Sequence, residues 1–186
     1  DNANVKRLRE LGVTVYNEHV GDNIKGADLV AFSAAVPSTN PEMVAADEAG
    51  VPKMERSQLL GAITRCYDNV IGVSGTHGKT TVSSMITQIL LINKQNPNAV
   101  IGGKLPLTGS NGLVGHSEHM VCEACEFVDT FLDLSPDIAV VLNVDEDHLD
   151  YFKTFDNLKK SFTKFTSMAT KSIIYNGDDQ NTLDAV

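Results

Sequence analysis

The sequence predicts an α/β protein built on a parallel sheet, and three observations carry that expectation. Short apolar, β-rich runs alternate with segments of helical spacing along most of the 186 residues. Residues 137–144 are almost continuously apolar, the mark of a strand buried on both faces. A glycine-bearing turn after residue 73 joins another apolar strand to a long helix. Parallel sheets of this kind bind ligands beyond the carboxyl ends of their strands, so functional residues are sought there.

Val5, Leu8 and Leu11 follow helical spacing and stop at Gly12, a C-terminal signal. Residues 13–16, Val-Thr-Val-Tyr, form a β-rich run, and 27–33 form a second strand bounded by Gly26. Asn40 is a ready N-cap with Pro41 in the first turn, opening a helix that ends near Gly50. A short strand starts at 51–54. Polar residues interrupt the pattern over 61–68, so one unit is expected over residues 1–64 and another over 65–186. The second opens with the strand 70–73 and continues, past the glycines, into a helix over 79–93. Val82, Met85, Ile86, Ile89 and Leu90 share one face of that helix. Further strands are expected at 120–125, 138–144 and 172–175. The helix between the last two carries Phe155, Leu158, Phe162 and Phe165, which read as core. The chain opens at Asp1 without Met and closes at Val186 within what reads as a further helix.

Composition narrows the function classes. Hydrophobic residues make up 42% and charged residues 21%, which excludes a disordered or fibrous chain. No apolar run approaches the roughly 18 residues that span a bilayer, and no signal-peptide pattern opens the chain. Fifteen Lys and Arg against 24 Asp and Glu give a formal charge of −9. That balance argues against nonspecific binding of nucleic acid or anionic membrane, both of which need a basic face. An anionic ligand must then be held by backbone amides, one or two lysines, or a metal ion. Three cysteines suit a reduced, cytoplasmic protein better than a disulfide scaffold.

The most informative segment is Ser74-Gly75-Thr76-His77-Gly78-Lys79-Thr80-Thr81. Glycines between a buried strand and a helix let backbone N–H groups face an anion, and the helix N-terminus adds partial positive charge. Lys79 can reach the β- and γ-phosphates of a nucleotide, and the Thr80 hydroxyl can ligate Mg²⁺. With Val73 in the place of the usual first glycine, the segment fits the shorter form G-x-x-G-K-T that begins at Gly75.

Hard oxygen ligands suit Mg²⁺. Glu123 and Glu126 fall in or just after a predicted strand, and Asp145, Glu146, Asp147, His148 and Asp150 follow the buried one. Cys122 and Cys125 have no second pair at zinc spacing and lie in a strand-like run, which points to buried structural thiols. His116 and His119 flank a Gly/Ser-rich loop and are expected to face solvent. The pair Gly102-Gly103 before Lys104 is too common a pattern to carry a site, and Thr108 with Asn111 could line a substrate cleft.

In order along the chain, several segments resemble the Mur ligases, ATP-dependent enzymes that build the peptide of bacterial peptidoglycan. Residues 75–81 resemble their nucleotide loop, and Glu123-Ala124-Cys125-Glu126 with Phe131-Leu132 resembles their E-A-x-E…F-L segment. Residues 142–150, Leu-Asn-Val-Asp-Glu-Asp-His-Leu-Asp, resemble their N-x-x-x-D-H-L-D segment. Ser33-Ala34-Ala35-Val36-Pro37 and Asn40-Pro41-Glu42 are similar to their S-x-A-[VI]-P…N-P-E stretch.

The resemblance implies a partial Rossmann-like N-terminal domain followed by a P-loop-type central domain. It also implies a third, C-terminal domain, expected to be absent from a chain that starts past the first strand and stops inside the central domain. Such a piece is expected not to turn over alone. The implied reaction is an ATP-driven amide ligation through an acyl phosphate. His77 points to members that act on UDP-N-acetylmuramate itself, joining L-alanine, or a recycled tripeptide, to its carboxylate. Lys79 would then hold the β/γ-phosphates, and Thr80 a first Mg²⁺. Glu123 and His148 would hold a second, with Asn143 near the same centre. Thr108 and Asn111 would lie near the muramyl end and Ser33 in the UDP pocket. A folylpolyglutamate-type ligase and a nucleotide-binding module without ligase activity are the rival readings. Lys79→Ala is expected to weaken nucleotide binding with folding retained.

Overall fold

Two short parallel strands and one capped helix frame residues 1–56. The computed structural model describes residues 3–105 and 108–186, which divide into two units, Asp1–Arg56 and Ser57–Val186. In the first, helix α1 (Ala3–Glu10) ends where Gly12 turns left-handed at φ +82°. Strand β1 (Val30–Phe32), helix α2 (Pro41–Ala49) and strand β2 (Lys53–Glu55) follow. β1 and β2 pair in parallel, with Val30 opposite Lys53 and Phe32 opposite Glu55. The Asn40 side chain accepts from the Glu42 N–H at 2.9 Å, and Gly50 closes α2 in the left-handed conformation, as the sequence led us to expect. Residues 13–16 form no strand. Val13 and Tyr16 stand 46% and 57% exposed, and β-propensity is expressed only where a neighbouring strand and a buried face receive it.

The second unit begins with α3 (Arg56–Thr64) and is built on a six-stranded sheet. Its strands are β3 (Asn69–Ser74), β4 (Asn98–Val100), β5 (Gly112–Leu113), β6 (His119–Glu123), β7 (Ile138–Val141) and β8 (Ser172–Tyr175). They are ordered β5-β4-β6-β3-β7-β8, all parallel except β5. The two packed units meet between Arg56 and Ser57, eight residues from the boundary expected at 64/65. β3 lies between β6 and β7, in a register that sets Val73 beside Glu123 and Ser74 beside Val141. The loops leaving these three strands consequently emerge side by side.

The helices are α4 (Lys79–Ile92), α5 (Leu149–Phe152), α6 (Phe155–Ser167) and α7 (Gln180–Ala185). One sheet face is covered by α6, whose Leu158, Phe162 and Phe165 are fully buried with Phe131. Phe131 stacks on Phe165 at 4.8 Å and meets Phe162 edge-on at 5.4 Å. Each such ring contributes on the order of 2–3 kcal/mol, so this face anchors the unit.

The opposite face differs from expectation. Ile86 and Leu90 of α4 pack against the sheet, but Met85 and Ile89 are 56% and 57% exposed, and Ser83 and Thr87 are fully buried. Their hydroxyls donate to the carbonyls of Lys79 and Ser83, each at 2.8 Å. Small, internally satisfied side chains thus face the sheet where larger apolar ones were expected.

Cys122 in β6 is buried, and burial pushes its thiol up to about 12. Cys125, expected to be buried with it, lies past the end of β6 and is exposed, with partial burial of the thiol also raising it. A maleimide should therefore label Cys66 and Cys125 in the native protein and Cys122 only after unfolding, as peptide mass mapping would read. Native labelling of Cys122 would contradict its place in the sheet.

Candidate nucleotide site

The loop that leaves β3 turns on two glycines. Gly75 has φ +137° and Gly78, the N-cap of α4, has φ +84°, a region that side chains resist. A Cβ at Gly75 would also lie 3.0 Å from Leu142 Cβ and 3.2 Å from the Asn143 nitrogen and oxygen. The segment after β7 therefore lies directly against the loop. Asn143 clasps it at three points. Its carbonyl accepts from the Thr76 N–H at 3.1 Å, its Oδ1 from the His77 N–H at 2.8 Å, and its Nδ2 donates to the His77 carbonyl at 3.1 Å. The Thr76 hydroxyl adds a contact to Asp145, accepting from its N–H at 2.9 Å. With the loop fixed, the first turn of α4 presents N–H groups that no preceding carbonyl within the helix can satisfy, an anion-binding geometry. Residues 76–81 and Glu123 line a cleft of about 400 Å³ over this turn.

The charged groups fall into two adjoining sets. Thr80 Oγ1 donates to Glu123 Oε1 at 2.8 Å, and the Gly102 N–H donates to Glu123 Oε2 at 2.6 Å. Glu123 thus has both oxygens engaged beside the phosphate loop. Lys79 Nζ donates to the carbonyls of Gly75 (2.6 Å) and Thr76 (3.2 Å) and lies 3.0–3.1 Å from both oxygens of Glu126. Ligating atoms of Glu126, Asp147 and His148 lie within 4.8 Å of one another. The carboxylates grouped with His148 are Glu126 and Asp147, whose Oδ1 lies 3.7 Å from His148 Nδ1, while Glu123 engages Thr80 and Gly102. The hydroxyl and carboxylate oxygens are hard donors that suit Mg²⁺, with the His148 imidazole the one softer donor beside them.

His148 is held by local backbone strain. It has φ +53° and caps α5, and its ring lies 4.7 Å from that of Phe127. The turn after Phe127 has Val128 and Asp129 at φ +55° and +58°, a region that Asp tolerates but that costs the β-branched Val128 about 1–3 kcal/mol. Asp129 accepts from the Tyr151 hydroxyl at 2.9 Å and from the Ser161 hydroxyl, tying the turn to α5 and α6. The Asp129 carboxylate, by its hydrogen bond, raises the Tyr151 hydroxyl above its ordinary range.

Of the residues singled out from sequence, the structure brings together Gly75 through Thr81, Lys79, Thr80, Glu123 and Asn143, with His148 in the adjoining set. Thr108 and Asn111 are exposed, in a turn where the Thr108 hydroxyl accepts from the Ser110 N–H and the Asn111 carbonyl from the Ile101 N–H. No contact joins them to the loop among the described residues. Ser33 belongs to the first unit, where its hydroxyl accepts from the Ala35 N–H at 3.2 Å. That unit holds its own cleft of about 320 Å³, which includes His19 and Glu42. The amide of Asn23, 2.6 Å away, and then His19, 3.2 Å away, hold the Glu42 carboxyl below its ordinary range. Gly102, in a glycine pair too common to mark a site by pattern alone, donates its N–H to Glu123.

Comparison with known proteins bears on both units. Residues 73–185 match the Mur ligase middle domain, and residues 1–67 match the domain described as Mur ligase family, catalytic domain. UDP-N-acetylmuramate–L-alanine ligase of Caldicellulosiruptor saccharolyticus is 45% identical over 183 residues, 97% of this chain and 40% of that protein. The enzyme of that name from Acetivibrio thermocellus is 44% identical over 95% of this chain and 38% of its own length. The chain thus spans about 40% of the length of the curated relatives it matches. Among solved structures, UDP-N-acetylmuramate-alanine ligase from Thermotoga maritima superposes with a TM-score of 0.87 at 25% identity, covering all of this chain and 43% of that one. The ligase of UDP-N-acetylmuramate and L-alanyl-γ-D-glutamyl-meso-diaminopimelate from Neisseria meningitidis gives the same TM-score and identity, over 63% of that chain.

Proposed function

The chain belongs to the Mur ligase family, and on that premise we propose that it forms part of an ATP-dependent ligase joining L-alanine to the carboxylate of UDP-N-acetylmuramate, in cytoplasmic peptidoglycan synthesis. The observation that supports this most is the meeting of a phosphate loop with a wall of carboxylate and imidazole at the ends of β3, β6 and β7. A module that only binds nucleotide needs the loop. A phosphoryl acceptor that is itself an anion needs a cation beside it, which carboxylate and imidazole ligands can hold.

The chemistry is a sequence of two transfers. A carboxylate oxygen of UDP-N-acetylmuramate attacks the γ-phosphorus of ATP, the bond to the β-phosphate oxygen breaks, and ADP leaves. The amine of L-alanine then attacks the acyl carbon, phosphate leaves, and the nitrogen loses a proton. Phosphoryl transfer asks the protein for alignment and charge neutralisation more than for covalent help. Lys79 would hold the β/γ-phosphates, the N–H groups at residues 78–81 would cradle them, and Asn143, which takes the N–H groups of Thr76 and His77, would keep the loop in register. Thr80, Glu123 and His148 would hold Mg²⁺, which when bound neutralises charge on the transferring phosphate and the carboxylate. We assign Ser33 to the uridine end of the substrate, and Thr108 and Asn111 to its muramyl end.

The test is product formation by the full-length protein. With ATP, Mg²⁺, UDP-N-acetylmuramate and L-alanine it should release ADP and phosphate and form UDP-N-acetylmuramoyl-L-alanine, with ADP release requiring both acceptors. Release of ADP without either acceptor would sink the ligase reading. Preference for a tripeptide over L-alanine would move the assignment to the recycling reaction.

A further inference from the structure

We propose that Glu126 is the positioning residue for Lys79, a buried carboxylate that keeps the ammonium at the loop mouth when phosphate arrives. The turnover part of this inference rests on the ligase reading, and the binding part does not. An ammonium has three donors, and those of Lys79 are taken by the Gly75 carbonyl, the Thr76 carbonyl and Glu126. The three partners are not equivalent. The two carbonyls belong to the loop that receives phosphate, and phosphate oxygens can replace them. Glu126 has a side chain only 1% exposed, and its Oε2 has no hydrogen bond of its own although Lys79 lies 3.0 Å away. A carboxylate so placed has no solvent to turn to, because burying a charge is costly unless it is paired. It therefore keeps Lys79 while the loop carbonyls are exchanged.

Glu126 also faces Asp147 and His148 within 4.8 Å. It thereby fixes the distance between the lysine of the phosphate loop and the imidazole wall, the two sides between which a phosphoryl group would travel. A carboxylate next to an anion site subtracts from phosphate attraction. Its contribution is accordingly to geometry rather than affinity, and that gives the inference its signature.

Glu126→Gln keeps size and one acceptor but removes the carboxylate charge, so the ion pair with Lys79 becomes an ammonium–amide hydrogen bond. In the full-length protein, the Kd for ATP should stay within about threefold of wild type or tighten, while kcat falls about tenfold or more, as for loss of an interaction that orients the transition state. Lys79→Ala is the comparator, and its Kd should weaken. Folded fraction is read first, by thermal melting. Should Glu126→Gln not fold, Glu126→Asp carries the test, since it keeps the charge and withdraws it by one methylene, and the same pattern of unchanged Kd and lowered kcat is expected. A kcat within about threefold of wild type, or a Kd weakened as far as in Lys79→Ala, overturns the proposal. If the wild type forms no amide bond, the ligase reading fails on its own. A Kd in Glu126→Gln weakened as far as in Lys79→Ala would then still overturn this one.

Discussion

Lys79→Ala should remove most nucleotide affinity and, in the same protein, lower the melting temperature. The first effect follows from losing a charge-assisted contact to phosphate, worth about 1.5–3 kcal/mol, or roughly ten- to a hundredfold in Kd. The second was not expected from sequence, which assigns Lys79 to the ligand alone. It follows from Glu126, whose side chain is 1% exposed and whose charge Lys79 balances. Removing one partner of a buried pair costs about 3–5 kcal/mol, and the 14% exposure of Lys79 places this case toward the lower end. The double variant Lys79→Ala with Glu126→Gln should recover much of the melting temperature and none of the affinity. Calorimetric titration with ATP and thermal melts of the two variants separate the effects. A wild-type Kd in Lys79→Ala would remove the site assignment, and a wild-type melting temperature would remove the ion pair.

The same pair marks the limit of what was legible in the sequence. The phosphate loop could be read because its parts are local. Two glycines, a lysine and a helix start fall within a few residues, and each has one physical reason to be there. The clasp by Asn143 joins residues 66 apart, and the Lys79–Glu126 contact joins residues 47 apart. No periodicity records such contacts. Sheet order alone brings the ends of β6 and β7 to either side of β3. The sequence therefore supplied the acidic candidates, Glu126 and Asp147 among them, without saying which one meets which partner.

Packing failed to be legible for a related reason. The apolar face of α4 was counted from large side chains, but Ser83 and Thr87 satisfy their own hydroxyls along the helix and can be buried at little cost. Strands β4 and β5, three and two residues long, carry too few residues for alternation to register. Long elements with a strong pattern, β3 and α6 above all, were found close to where they were expected.

Gly61→Ala decides where the first unit ends, and its two possible outcomes have opposite signs. Gly61 lies within α3, and in an exposed helix the change to alanine would stabilise by about 0.5–1 kcal/mol. Here a Cβ on Gly61 would meet the Asp133 carbonyl oxygen at 2.1 Å and its carbon at 2.8 Å, backbone atoms with little freedom to move. The neighbours tighten the contact. Thr64 is fully buried and accepts from the Ser135 N–H at 3.1 Å, and Leu60 packs against the cluster that contains Phe131. Overpacking of this kind costs about 3 kcal/mol, on the order of 10 °C in melting temperature for a unit this size. A thermal melt that falls by that amount, while ATP affinity in the folded protein is kept, would join α3 to the sheet unit and set the boundary near Arg56. A small rise in melting temperature would mean that α3 is not docked against Asp133, and would return the boundary to the polar stretch after Gly61.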